Sequence, residues 1–179
     1  MNRKHELRRL LIERRLDISP KRRNEAREQL LQKLLPRLES FNHVLSFASK
    51  EEEIDLWPLN AELAKEKRLF LTKVVDSVLI PFQVMDLDKD LEETGRWKIK
   101  EPISDRCITL DIKKIDCVLV PGLGFDKHHH RIGYGMGHFD RFLSGISCQT
   151  YGIGFKEQFM TDPIPIEAHD VPLTEVFVF

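Results

Sequence analysis

Residues 131–143 read RIGYGMGHFDRFL, with glycine at 133, 135 and 137 followed by a short amphipathic run that carries Asp140. Glycine admits positive φ and lets a ligand come close to main-chain N–H groups. Several such groups turned the same way make an anion-binding concavity, and a helix starting near 138 adds its positive end. The ligand this chemistry suits is a phosphate. The spacing is neither G-x-G-x-x-G nor G-x-x-x-x-G-K-[ST], so neither of those mechanisms transfers. The same glycines also suit a plain tight strand-to-helix connection.

Asp140 bears on that choice. A carboxylate one turn into the helix repels bound phosphate strongly in a partly dry site, unless a divalent cation lies between them. Mg²⁺ is normally held by one or two carboxylates together with substrate phosphates. Asp170, in EAHDVP, is the second candidate ligand. On the residues alone, Asp140 also reads as an acid complementing a helix N-terminus, and Asp170 as a turn residue before Pro172. His128, His129 and His130 are adjacent in an extended loop, point in different directions and do not converge on one ion. The three cysteines (Cys107, Cys117, Cys148) are widely spaced without C-x-x-C, and read as non-catalytic.

These groups need a frame. Leu7, Leu10 and Leu11 predict an amphipathic helix over 2–15, and Ser19-Pro20 reads as the cap and first position of a second helix over 20–38. HVLSFAS (43–49) reads as a strand ending in an acidic loop, and 56–67 as helix. RLFLTKVV (68–75), SVLIPFQV (77–84), IDCVLVPG (115–122), TYGIGF (150–155) and TEVFVF (174–179) read as further strands, and 86–106 as a long polar loop with a small extended piece at WKI. Alternating strands and helices predict an α/β sandwich around a mostly parallel sheet. Ligands bind beyond the carboxyl ends of such strands, and the glycine ladder follows the most apolar one.

With 179 residues, of which 41% are hydrophobic, one domain over 1–179 is expected. The net charge of −1 gives no global field for nucleic acid or a membrane surface. Residues 1–39, however, form a basic helical arm with twelve Lys/Arg against six Asp/Glu. No run approaches the roughly 18 apolar residues of a membrane span, so a soluble, uncleaved, cytoplasmic chain is expected.

The segment PGLGFD…RIGYGMGHFDRFL resembles the signature of the 5-formyltetrahydrofolate cyclo-ligase (methenyltetrahydrofolate synthetase) family, approximately PGLAFD..G.RLGYGGGYYDR.L. The K-x-x-x-R of Lys4 and Arg8, the pair Glu53-Ile54, W-x-I-x-E-P (Trp97, Ile99, Glu101, Pro102) and HDVP with Asp170 stand in the family's order. The resemblance implies a three-layer, Rossmann-like sandwich of sugar-phosphate isomerase/CoA-transferase-like topology. It also implies ATP- and Mg²⁺-dependent closure of 5-formyltetrahydrofolate to 5,10-methenyltetrahydrofolate, releasing ADP and phosphate. Phosphorylation converts the formyl oxygen from a poor leaving group into a good one, chemistry that needs positioning and charge neutralisation more than a protein nucleophile.

Carried onto this sequence, the resemblance assigns ATP to Lys4, Arg8, Arg131 and the stretch Ile132, Gly133, Tyr134, Gly135, Met136, Gly137 and His138. Arg131, Tyr134 and His138 become the catalytic candidates, Asp140 and Asp170 the Mg²⁺ ligands, and Glu53, Trp97 and Tyr134 the folate contacts. The chain departs from the family at His138-Phe139, where two tyrosines are frequent, at Met136, commonly Gly or Lys, and at the turn glycine lost within 128–130. The expected partners are ATP and a folate whose glutamate tail a positive arm would attract, with no nucleic acid, no membrane and a monomeric chain. Two other classes compete: a sugar-phosphate isomerase-like enzyme whose ladder holds a substrate phosphate without ATP, and a nucleic-acid module built on the arm.

Overall fold

Ser19 divides the basic arm into two helices. Its backbone is extended (φ −64°, ψ 153°), its Oγ accepts from Arg22 N at 3.3 Å, and Pro20 takes the first helical position, where a missing N–H costs nothing. In a computed structural model, which describes residues 3–95 and 98–179, the cap separates α1 (Arg3–Leu16) from α2 (Pro20–Leu34). The second helix ends at Leu34 rather than 38, because Pro36 starts a separate 3-10 turn over Pro36–Leu38.

There follow β1 (Val44–Leu45), α3 (Trp57–Lys65), β2 (Leu69–Val75), β3 (Val78–Gln83), β4 (Leu91–Thr94), β5 (Ile99–Pro102) and β6 (Cys117–Val120). The chain continues through β7 (Gly124–Asp126), β8 (Arg131–Ile132), α4 (His138–Leu143), β9 (Gln149–Gly154), β10 (Phe159–Met160) and β11 (Glu175–Val178). The main sheet has the order β11-β9-β6-β1-β2-β3. All neighbours in it are parallel except β3, which returns antiparallel to β2 through the tight turn Asp76-Ser77, both residues at positive φ. Pro81 lies in β3 at the sheet's edge, where a strand tolerates a missing donor.

Side-chain alternation builds the layers. Val44, Leu69, Leu71, Cys117 and Leu119 face one core with Leu30 and Leu34 of α2 and Leu59 and Leu63 of α3. Leu45, Phe70, Val118 and Val120 face the other, with Phe142 and Leu143 of α4. The molecule is therefore a three-layer α/β sandwich with a largely parallel central sheet, as expected. Among the described residues, no helix is long and apolar enough to cross a membrane.

Three local expectations need correction. In HVLSFAS only Val44–Leu45 is strand; Ser46 N still donates to Phe70 O, after which the chain leaves the sheet for the acidic loop. The extended part of 86–106 is larger than expected, because β4 and β5 pair antiparallel as a separate hairpin. A small sheet, β10-β7-β8, went unread, since strands of two or three residues carry no detectable periodicity. That sheet receives α1: Leu7, Leu11 and Ile12 pack with Leu123, Ile132 and Ile164. A Cβ at Gly124 would lie 2.7 Å from Leu11 Cδ1, so this close approach requires glycine.

Part of the arm's charge is used internally. Arg22 binds Glu157 at 2.8 Å, Arg23 donates to the main-chain oxygens of Ile18 and Glu52 at 3.1 and 3.0 Å, and Arg15 is 1% exposed.

Candidate active site

The strand order reverses at β1: the chain passes first to β2 and β3 on one side and later to β6 on the other. Beyond the carboxyl ends of β1 and β6, at this switch point, lies a cavity of about 340 Å³ walled by Phe47 and Ala48 on one strand extension and Pro121 and Gly122 on the other. The size suits a small-molecule site.

One end of the cavity is the glycine ladder. Gly135 and Gly137 have φ of 99° and 67°, and a Cβ at Gly135 would stand 3.2 Å from Arg8 Cζ. Among the described residues, the backbone N–H groups of 133–138 have no hydrogen-bond acceptor. The expected helix begins at His138, but α4 has only six residues, so the amides themselves rather than a long dipole supply the positive potential. Arg8 Nε donates to Gly133 O at 2.9 Å. Ile132 lines the cavity from the core and is 2% exposed. Met136, by contrast, is 69% exposed.

Two cation–carboxylate pairs flank the ladder. Arg131 Nη2 donates to Asp140 Oδ1 at 2.8 Å, and its guanidinium lies 5.7 Å from the Phe139 ring centroid. Burial pulls the Arg131 pKa down, the Asp140 charge opposes this, and Arg131 Nε is buried without a partner. Lys4 Nζ, reaching across from α1, donates to Asp170 Oδ2 at 2.6 Å and lies 3.1 Å from Glu167 Oε2. Burial alone would raise the Asp170 carboxyl, but the Lys4 ammonium and the Glu167 N–H hold it below its ordinary value. Burial likewise opposes the Lys4 charge, and the two carboxylates hold its pKa above the ordinary value.

The residues fit a polyphosphate with a hard cation. Bare amides and three basic side chains suit the anion, and oxygen donors at Asp140 and Asp170 suit Mg²⁺. Asp140 Oδ2 has no hydrogen-bond partner among the described residues. Glu167, His169 and Asp170 each bring a potential ligand atom within 4.8 Å of the others.

The other end is built on the acidic loop. Glu53 Oε2 accepts Lys50 N at 3.0 Å, and burial pushes the carboxyl above its ordinary value against the pull of that N–H and of Arg15. Arg15 Nη1 lies 3.8 Å from Glu53 Oε1, while its Nη2 donates to Tyr134 Oη. The Tyr134 ring has Lys50 Nζ 5.2 Å from its centroid, and burial raises its phenol further, so the hydroxyl is no base at neutral pH. His138 Nδ1 lies 3.2 Å from Ser77 O and 3.1 Å from Arg141 Nη2; as a donor it serves the carbonyl and as an acceptor the guanidinium, one at a time. Trp97 lies outside the described residues.

The sequence profile of the 5-formyltetrahydrofolate cyclo-ligase family matches residues 1–179. The chain belongs to that family.

A cyclo-ligase from Escherichia coli (strain K12) is 27% identical over 178 residues, covering 93% of this chain and 95% of that protein. The NMR structure of Aquifex aeolicus 5,10-methenyltetrahydrofolate synthetase superposes with a TM-score of 0.85 at 28% identity, covering 97% of this chain and 88% of the other. A 5,10-methenyltetrahydrofolate synthetase from Mycoplasma pneumoniae shares the fold, with a TM-score of 0.78 at 21% identity and 98% coverage of both chains.

Apart from Trp97, the candidate site residues singled out from sequence line one cavity: Lys4, Arg8, Glu53, the 131–138 stretch, Asp140 and Asp170. Sequence reading missed Arg15, which looks like any arm arginine until its burial is seen. It also missed Lys50, whose place over Tyr134 depends on a contact across the fold. Glu167 and His169 were detectable as acid and imidazole beside Asp170, but their sharing of one spot is a property of the turn.

Proposed function

We propose that the chain closes 5-formyltetrahydrofolate to 5,10-methenyltetrahydrofolate, using ATP and Mg²⁺ and releasing ADP and phosphate. The single observation that carries this reading is the run of acceptor-free amides at 133–138, set between two cation–carboxylate pairs in the cavity that also holds Glu53. When bound, ATP supplies the phosphoryl group that makes the formyl oxygen a leaving group, and Mg²⁺ offsets the charge between phosphates and carboxylates.

The protein's own part is positional. The amides of 133–138, with Arg8 and Arg131, hold the phosphates without having to reorganise during transfer. Asp140 and Asp170 hold the metal, and Lys4 and Arg131 in turn hold those carboxylates. Glu53, an acceptor-only group when ionised, binds the donor edge of the pterin. Tyr134 stands between the two ends, its hydroxyl tied to Arg15 and its ring facing Lys50, and His138 contributes a polar ring where the family often has tyrosine. Trp97 is the remaining folate contact in this reading. Lys50 and Lys100 in the lining support binding of glutamate-tailed folates.

The test is direct: protein, Mg-ATP and 5-formyltetrahydrofolate together generate the near-ultraviolet absorbance of the methenyl product. Mg-ATP alone raises the melting temperature, because it binds the native state. Stabilisation by sugar phosphates but not by Mg-ATP would sink the reading in favour of the isomerase-like alternative.

A further inference from the structure

Asp126 ends β7 outside the cavity lining, yet it joins the two segments that furnish the nucleotide end. Its side chain is 0% exposed. Oδ1 accepts the N–H of His128 at 2.9 Å and of His130 at 3.0 Å. Oδ2 accepts the N–H of Ile164 at 2.9 Å and lies 3.4 Å from His130 Nδ1. The first two bonds shape the turn that leads directly into Arg131. The third fixes the segment that runs on to Glu167 and Asp170. His129 O completes the link by accepting Leu173 N at 2.9 Å.

The site requires a carboxylate. Donors face both oxygens, and only an ionised acid accepts on both; an amide must turn its NH₂ toward either Ile164 N–H or the two turn amides. Burial works against the charge, but the three N–H donors outweigh it and hold the carboxyl below its ordinary value.

We infer that Asp126 is a positioning residue: by clamping the 127–131 turn to the 164–173 segment, it sets the spacing of the Arg131–Asp140 and Lys4–Asp170 pairs and hence the affinity for Mg-nucleotide. The inference rests on the reading of those pairs as the nucleotide and metal site. It gives Asp126 no contact with the ligand and no influence on the Glu53 end.

The experiment compares the full chain with its Asp126→Asn variant by calorimetric titration with Mg-ATP, by separate KM values and by amide NMR. The expected result is about tenfold weaker Mg-ATP binding, as for one buried donor left unpaired. The KM for folate should stay within about twofold, and amide shifts should concentrate in 127–131 and 164–170 and spare 50–54. Unchanged Mg-ATP affinity in the variant, or equal weakening toward both ligands, overturns the inference. Failure of the unaltered protein to bind Mg-ATP overturns the functional reading itself, and the inference with it. Should the variant not fold, the unaltered protein decides: saturating Mg-ATP slows hydrogen exchange at the His130 and Ile164 amides, and unchanged exchange there overturns the inference.

Discussion

Arg131 and Asp140 meet at 2.8 Å with side-chain exposures of 6% and 18%, so the proposed metal ligand is also the main counter-charge of a buried guanidinium. Asp140→Asn therefore acts twice. Turnover at saturating ATP and fixed Mg²⁺ should fall by about a hundredfold or more, as when a group stabilising developing charge is lost. Unfolding free energy should also drop by about 1–3 kcal/mol, because the guanidinium keeps a weaker, neutral partner. Steady-state kinetics and urea denaturation read the two effects separately, and wild-type turnover would remove Asp140 from the site.

The Lys4–Asp170 pair predicts a stability plateau in pH. Asp170 has a lowered pKa, so its contribution is full above the ordinary carboxylate value and is lost as pH falls through the lower folded value. Lys4 has a raised pKa, so its contribution is full below the ordinary ammonium value and is lost as pH rises through the higher folded one. Lys4→Met should thus be less stable than wild type between about pH 4 and pH 10, and the two unfolding curves should converge in stronger acid. A constant difference down to pH 2 would show that lost packing, not the ion pair, carries the effect.

Glu53 behaves oppositely. Burial lifts its pKa, so the folded protein takes up a proton more readily than the unfolded chain, and stability declines as pH rises through the interval between the two values. Glu53→Gln should leave the melting temperature at neutral pH equal to or above that of wild type. The KM for folate should rise about tenfold, on the scale of a hydrogen bond to a charged group, while the KM for ATP holds.

Gly135→Ala tests the cradle without altering charge. At φ 99° a side chain is strained, and its Cβ would stand 3.2 Å from Arg8 Cζ. The variant should bind Mg-ATP about tenfold more weakly, for a cost on the order of 1–2 kcal/mol. Gly145→Ala is the matched control, since its added Cβ meets ordinary contacts at 3.5 Å; equal behaviour of the two variants would count against the ladder as the phosphate seat.

The main sheet and the glycine ladder were readable because their signals are local: apolar runs such as CVLV, a Ser-Pro cap and glycines at alternate positions. The β4–β5 pairing was hidden because LEET and IKEP are largely polar; the hairpin lies against β2, with Leu91 packed on the core. Arg15, Arg22 and Arg23 each find an acid or a carbonyl elsewhere in the fold, pairings that composition does not carry. The candidate site was legible as a set of residues. Which cation faces which carboxylate was not, because those pairings join α1, the ladder and the turn before β11.

Lys4 and Asp170 share a hydrogen bond although 166 positions separate them. A nascent polypeptide therefore cannot close this pair while residue 170 is still inside the ribosome. Stalled or prematurely terminated products should lack one of the two proposed metal ligands and the partner of Lys4.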